Sequence, residues 1–372
     1  MIGAEVRVRI RGSSGHDESS LQPDHPISIM QVGIDSFVET VLGSSQSPAE
    51  LGSQRVRELL EEIELADRCG VDVYGIGEHH REEYIASSPA VLLAAAAART
   101  EKIRLTSAVT VLSSDDPVRV FQDFATLDLI SQGRAEIIVG RGSFIESYPL
   151  FGYDTKHYDE LFAEKLDLLL KLRDNTLIEW EGKHRASLTG QGVWPRPFQP
   201  RLPIRLGAGG TPGSFARAGL LGLPLTVAII GGEPHRFRPL IDLYREAGKR
   251  AGHTPESLDV AVHAIGFLAD TDQQAADTLW PAYFTTFSRI GRERGWPPTN
   301  RAAFDAQRSE GGAFFVGAPE TVARKMRAVS DALGGVSRFT FMMSGGPLPH
   351  AGMLRSIELL GGQVSPEVRA LR

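Results

Sequence analysis

The chain has 372 residues, 42% apolar and 23% charged, the proportions of an ordinary globular protein rather than of a disordered or fibrous one. Forty Lys and Arg against 46 Asp and Glu leave a net charge of −6, so no basic field is available to draw in nucleic acid or anionic lipid. A single cysteine, Cys69, excludes an internal disulfide framework and a thiolate metal cluster and suits a reducing compartment, and no apolar run reaches the roughly 18 residues that a transmembrane helix requires.

Residues 1–28 are rich in Arg, Ser, Gly, Asp and His and lack an apolar period, so they read as a mobile extension. They carry charges where a signal peptide has its apolar stretch, which makes a cytoplasmic protein the expectation. From residue 29 onward, β-rich runs alternate with amphipathic helical ones. Residues 31–37 (QVGIDSF) read as a strand, and Val56, Leu59, Leu60, Ile63 and Ala66 form one face of the helix that follows. Gly70 stops that helix, and residues 71–77 (VDVYGIG) give a second strand. An Ala-rich helix at 89–98, a strand at 103–112 and a helix at 117–130, entered through Pro117, come next. The strand at 136–140 precedes a helix marked by Phe162, Leu166, Leu169 and Leu170. Strands at 204–208 and 225–230 flank a helix at 214–221. A helix at 239–251, a strand at 258–268, helical sequence at 273–294 and 320–333, and a strand at 338–343 complete the series.

Eight strands, each followed by helical sequence, require a parallel sheet, because parallel neighbours need crossover helices. The predicted fold is a single α/β domain over residues 29–372, a closed (β/α)8 TIM barrel with insertions at 176–202 and 296–312.

Such a barrel gathers its functional groups at the C-terminal ends of its strands. Glu78-His79-His80 closes the second strand there. Adjacent strand residues point to opposite faces, no H-E-x-x-H helix is present and no third ligand is evident, so no metal site is assigned. One imidazole is a candidate acid–base group, which the spacing leaves open between His79 and His80, and Glu78 reads as an orienting or ion-pair partner. Gly207-Ala-Gly-Gly-Thr-Pro-Gly213, between a strand and a helix, fits a phosphate cradle of free backbone and helix dipole. Glu233, some twenty residues on, mimics a dinucleotide fingerprint. Four strand units precede the motif, however, which favours a mononucleotide phosphate on the later loops of a barrel. Arg141, leaving the fourth strand, is either the cationic partner of that phosphate or a surface ion pair. Cys69 reads as a buried core thiol.

In this order, the clusters resemble the bacterial luciferase-like flavin-dependent monooxygenase family. The resemblance runs from Ile29 to about Gly362 and rests on Glu78-His79-His80, IRLTSAVTVL at 103–112, DPVR at 116–119, QDFATLDLISQGR at 122–134, Arg141-Gly142, the glycine turn and FVGAPETV at 315–322. It implies a barrel that takes reduced FMN from a separate NAD(P)H:flavin reductase, uses O2 to oxidise a small organic substrate, and forms a homodimer. It also implies His79 as the acid–base residue and a cis peptide at Ala108-Val109 supporting the flavin ring. Phosphate or ribityl contacts would come from Arg141 and Ser143, the phosphate loop from Gly209, Gly210, Thr211 and Ser214, and a further phosphate contact from Tyr158. Tyr158 stands where luciferase has a basic residue, and Gly210-Thr211 replaces the Glu-Ser of the luciferase loop; both departures point away from light emission. A deazaflavin-dependent oxidoreductase on the same fold, a non-catalytic flavin-binding protein and a sugar-phosphate barrel enzyme are the competing readings.

Overall fold

A computed structural model describes residues 30–370 except 44 and 344–345. The expected extension at 1–28 therefore lies outside the described residues. Eight strands form the barrel: β1 (Gln31–Ser36), β2 (Val73–Ile76), β3 (Arg104–Ser107), β4 (Ala135–Gly140), β5 (Ile204–Ala208), β6 (Leu225–Ala228), β7 (Val260–Leu268) and β8 (Arg338–Met342). Each pairs in parallel with the next, and β8 pairs in parallel with β1, which closes the ring. Helices α1 (Pro48–Arg68), α2 (Pro89–Ala97), α3 (Pro117–Ser131), α4 (Tyr158–Asp174), α5 (Pro212–Leu220), α6 (Arg238–Arg250) and α7 (Asp272–Arg294) follow β1 to β7 in turn.

Local chemistry sets the helix starts. In α1, the Ser47 hydroxyl accepts from the Glu50 N–H while the Glu50 carboxylate accepts from the Ser47 N–H, a reciprocal cap. In α3, the Asp116 carboxylate accepts from the N–H groups of Val118 and Arg119.

The barrel interior is graded. Near the N-terminal ends of the strands, Arg338 of β8 reaches across to Glu136 of β4, with Nη1–Oε1 at 2.6 Å and both side chains 5% exposed. Gln31 and the Arg205–Asp259 pair extend this polar layer. Toward the C-terminal ends, small residues clear room for what lies above. A Cβ at Gly75 would collide with Asp35 Oδ1, and one at Gly140 would stand 2.6 Å from Val109 Cγ2.

Several elements depart from the sequence reading. The strand expected at 103–112 is interrupted: β3 ends at Ser107, the Ala108–Val109 peptide is cis, and a two-residue strand, Thr110–Val111, resumes against β4. The 176–202 insertion contains an antiparallel hairpin, Leu177–Trp180 with Leu188–Gly192. The 296–312 segment holds a helix, Arg301–Arg308, and Phe315–Gly317 adds a short strand to the end of β7 outside the closed ring. Cys69 is half-buried rather than a core thiol: it caps the C-terminus of α1, and desolvation raises its pKa.

The Arg338–Glu136 bridge gives a stability prediction. Arg338→Met leaves a carboxylate buried without its partner and lowers stability by about 3–5 kcal/mol. The double variant Glu136→Gln/Arg338→Met recovers much of that loss, as read from urea denaturation midpoints.

Candidate active site

Glu78, His79 and His80 leave the end of β2 at the barrel mouth, and the structure separates the two imidazoles. Glu78 holds His80, with Oε1 2.8 Å from Nε2, while its other oxygen accepts from the Val111 N–H at 2.9 Å, just past the cis peptide. Glu78 is thus an orienting partner of His80, and it also fixes the segment carrying Ala108 and Val109. His79 turns into an aromatic box in which its ring lies 4.6 Å from each of Phe37, Tyr84 and Phe144. Burial, reinforced by the positive potential of His80, Arg81 and Arg294, pushes the His79 pKa down to about 3. At neutral pH the imidazole is uncharged, able to donate and accept hydrogen bonds and unable to act as an imidazolium acid. A narrow cleft opens onto it between Val111, Ser143 and Phe144.

Arg81 and Arg294 pin the cover of this box. Arg81 bridges Glu83, Glu146 and Glu293 at 2.8–2.9 Å, tying the β2 and β4 loops to α7. Arg294 donates to the Ser143 carbonyl at 2.8 Å, and both guanidiniums face the Phe144 ring.

A second constellation lies along the rim at β4 and β5. Arg141 directs Nη2 to the hydroxyls of Thr211 and Ser214, each at 3.2 Å, and Nη1 to Asp159 at 2.5 Å. Its backbone is braced by two phenols, Tyr148 donating to the Arg141 carbonyl and Tyr158 donating to the Gly142 carbonyl at 2.7 Å. Thr211 is the N-cap of α5, yet its side chain makes no capping bond. Around Gly209 and Gly213 no atom lies within 4 Å of where a Cβ would stand, and Gly210 adopts φ +132°, a conformation that favours glycine. A guanidinium, two hydroxyls, unobstructed backbone and the start of a helix suit a phosphate group. Asp159 is the dissenting charge, but its carboxylate is 71% exposed and free to swing away.

The structure thus brings Arg141, Thr211, Ser214, Gly209 and Gly210 together. It places Ser143 on the His79 side, and it engages Tyr158 as a brace that also stacks its ring under the Arg141 guanidinium. Glu233 pairs with Arg236 in an exposed turn, away from any ribose role. Sequence reasoning missed a buried pair inside the barrel, His263 Nδ1 to Asp35 Oδ2 at 2.6 Å, linked through the Phe37 ring to His79. The available signal was a single ionisable side chain in each of two otherwise uncharged strands.

Residues 32–335 match the family model described as luciferase-like monooxygenase. The chain belongs to the luciferase-like monooxygenase family. The match with two Sinorhizobium fredii proteins, y4wF and y4vJ, at 32% and 28% identity, spans 46% and 42% of their lengths, so the chain aligns with less than half of each. A longer match, 26% identical over 87% of this chain and 91% of the relative, is to the 4-hydroxyprotoasukamycin monooxygenase of Streptomyces nodosus subsp. asukaensis. Among solved structures of this luciferase-like fold, monooxygenase RslO1 of Streptomyces bottropensis superposes with a TM-score of 0.77 at 25% identity, covering 91% of this chain and 99% of that one. Two others share the fold and differ in cofactor. The oxygenating constituent of 3,6-diketocamphane monooxygenase from Pseudomonas putida, in complex with FMN, has a TM-score of 0.73 at 20% identity over 91% and 98% of the two chains. An F420-dependent secondary alcohol dehydrogenase has 0.70 at 18% over 92% and 99%.

The depressed His79 pKa predicts how stability varies with pH. Between about pH 6.5 and 3 the unfolded chain protonates this histidine and the folded chain does not, so acidification through that window destabilises the fold. Its contribution to the slope is up to about 1.4 kcal/mol per pH unit. In urea denaturation at pH 6.5 and 5, the wild type should lose about 1.6 kcal/mol more stability between the two than His79→Asn does.

Proposed function

We propose that the chain binds FMN at this rim and uses reduced FMN, delivered by a separate NAD(P)H:flavin reductase, with O2 to oxidise a small organic substrate. The observation that carries the reading is the Arg141–Thr211–Ser214 cluster at the start of α5, beside glycines that leave room for an anion. Arg141, Thr211 and Ser214 hold the phosphate, Gly209 and Gly210 let it approach the backbone, and Ala108 and Val109 support the ring system. When bound, reduced flavin supplies the electrons and the site of reaction with dioxygen.

The protein's own contribution is positioning, exclusion of water and local charge. Phe37, Tyr84 and Phe144 keep water from the His79 ring, and the neutral imidazole offers a hydrogen bond beside the reacting atoms. The positive potential that depresses the His79 pKa also favours negative charge developing at the same place. A deazaflavin carrier is the rival on this fold, and the same titration decides between them.

Isothermal titration of the full chain with FMN, riboflavin and F420 tests the reading. Wild type binds FMN more tightly than riboflavin or F420. Arg141→Ala weakens FMN binding at least tenfold while leaving riboflavin within about twofold, because a charge-assisted phosphate contact is worth roughly 1.5–3 kcal/mol. Equal affinity of wild type and Arg141→Ala for FMN contradicts the assignment. His79→Ala retains FMN affinity and loses substrate-dependent oxygen consumption in a reductase-coupled assay.

A further inference from the structure

Outside the proposed flavin site, the start of α4 and the turn of the insertion hairpin bring two imidazoles and a carboxylate to one point. Asp154 caps the short 3-10 turn Thr155–His157 by accepting from the Lys156 N–H, which sets His157 directly ahead of α4. Glu160 stands in the first turn of that helix. His184 is placed by its backbone: the consecutive N–H groups of Lys183, His184 and Arg185 all donate to the Glu164 carboxylate at 2.7–3.1 Å. The hairpin turn is therefore held against α4 before any ligand arrives.

The donor atoms converge. His184 Nε2 lies 3.2 Å and His157 Nδ1 3.5 Å from the same oxygen, Glu160 Oε2, and all three lie within 4.8 Å of one another. His157 Nδ1 is shielded from solvent and makes no hydrogen bond. A four-coordinate ion with bonds of about 2.0–2.2 Å holds its ligands roughly 3.3–3.6 Å apart, close to the two measured separations. Two imidazole nitrogens and one carboxylate oxygen suit zinc or a neighbouring first-row cation and not magnesium or calcium, which take oxygen donors.

We propose that His157, Glu160 and His184 form a divalent transition-metal site of the zinc class that fastens the insertion hairpin to α4, with solvent in the fourth position. The Lys183 ammonium now lies 2.7 Å from Glu160 Oε2, and it is two-thirds exposed, so a dication takes its place as it swings out. Glu160 reaches the site from the first turn of α4 and shares one oxygen, Oε2, with both imidazoles. The proposal does not depend on flavin binding.

Calorimetric titration of tag-free, metal-stripped full-length protein with zinc chloride, and separately with magnesium chloride, tests it. The expected result is one zinc equivalent per chain, no magnesium binding at the same concentrations, and binding at least tenfold weaker in His157→Ala/His184→Ala. Lys183→Ala, relieved of the competing ammonium, should bind zinc at least as tightly as wild type. Glu160 is exposed and the two histidines are partly buried, so thermal melts of the metal-free variants check that the fold is retained. No zinc binding by wild type, a loss under tenfold in the double variant, weaker binding by Lys183→Ala, or equal binding of magnesium would each overturn the proposal.

Discussion

The return of β8 onto β1 is the constraint on which the site depends. An open parallel sheet would leave its strand ends along a line; a ring of eight turns all of them to one rim. Phe37 meets His79 there, and Arg141 meets Ser214, although each pair is far apart in sequence. The ring is secured from within by charge: Arg338 and Glu136 neutralise each other across the lumen, where an unpaired ion would be costly.

The rim divides into two electrostatic regimes. At β4 and β5, Arg141 is partly solvated, and its partners are hydroxyls and one exposed carboxylate, a loose arrangement able to admit an anion. Around β2 the environment is dry and aromatic, and nearby cations make protonation of His79 unfavourable. A ligand with an anionic tail and a planar body matches that division, the tail at the guanidinium and the body toward the box.

Most of the barrel was legible because its strands are short apolar runs and its helices carry clean 3.6-residue periods, as in Val56 to Ala66. The break at Ala108–Val109 was not visible in the pattern, since IRLTSAVTVL reads as one strand; only the family resemblance marked that peptide. The hairpin in the 176–202 insertion was obscured by Pro and Trp, although Ile178 and Trp180 are buried between exposed Leu177 and Glu179 in a two-residue alternation. Long-range pairs were beyond reach. Asp35 and His263 lie 228 positions apart, and His184 meets Glu160 only because Glu164 captures the hairpin turn. Tyr158 was placed near the right neighbour with a different task, its hydroxyl being engaged by the Gly142 carbonyl.

The most direct test of the central claim is a crystal structure of the full chain with FMN. The account predicts phosphate oxygens within hydrogen-bonding distance, about 3 Å, of Arg141, Thr211 and Ser214, with Asp159 displaced from the guanidinium. Flavin bound elsewhere, or a phosphate that leaves the Arg141–Asp159 pair untouched and faces solvent, would contradict it.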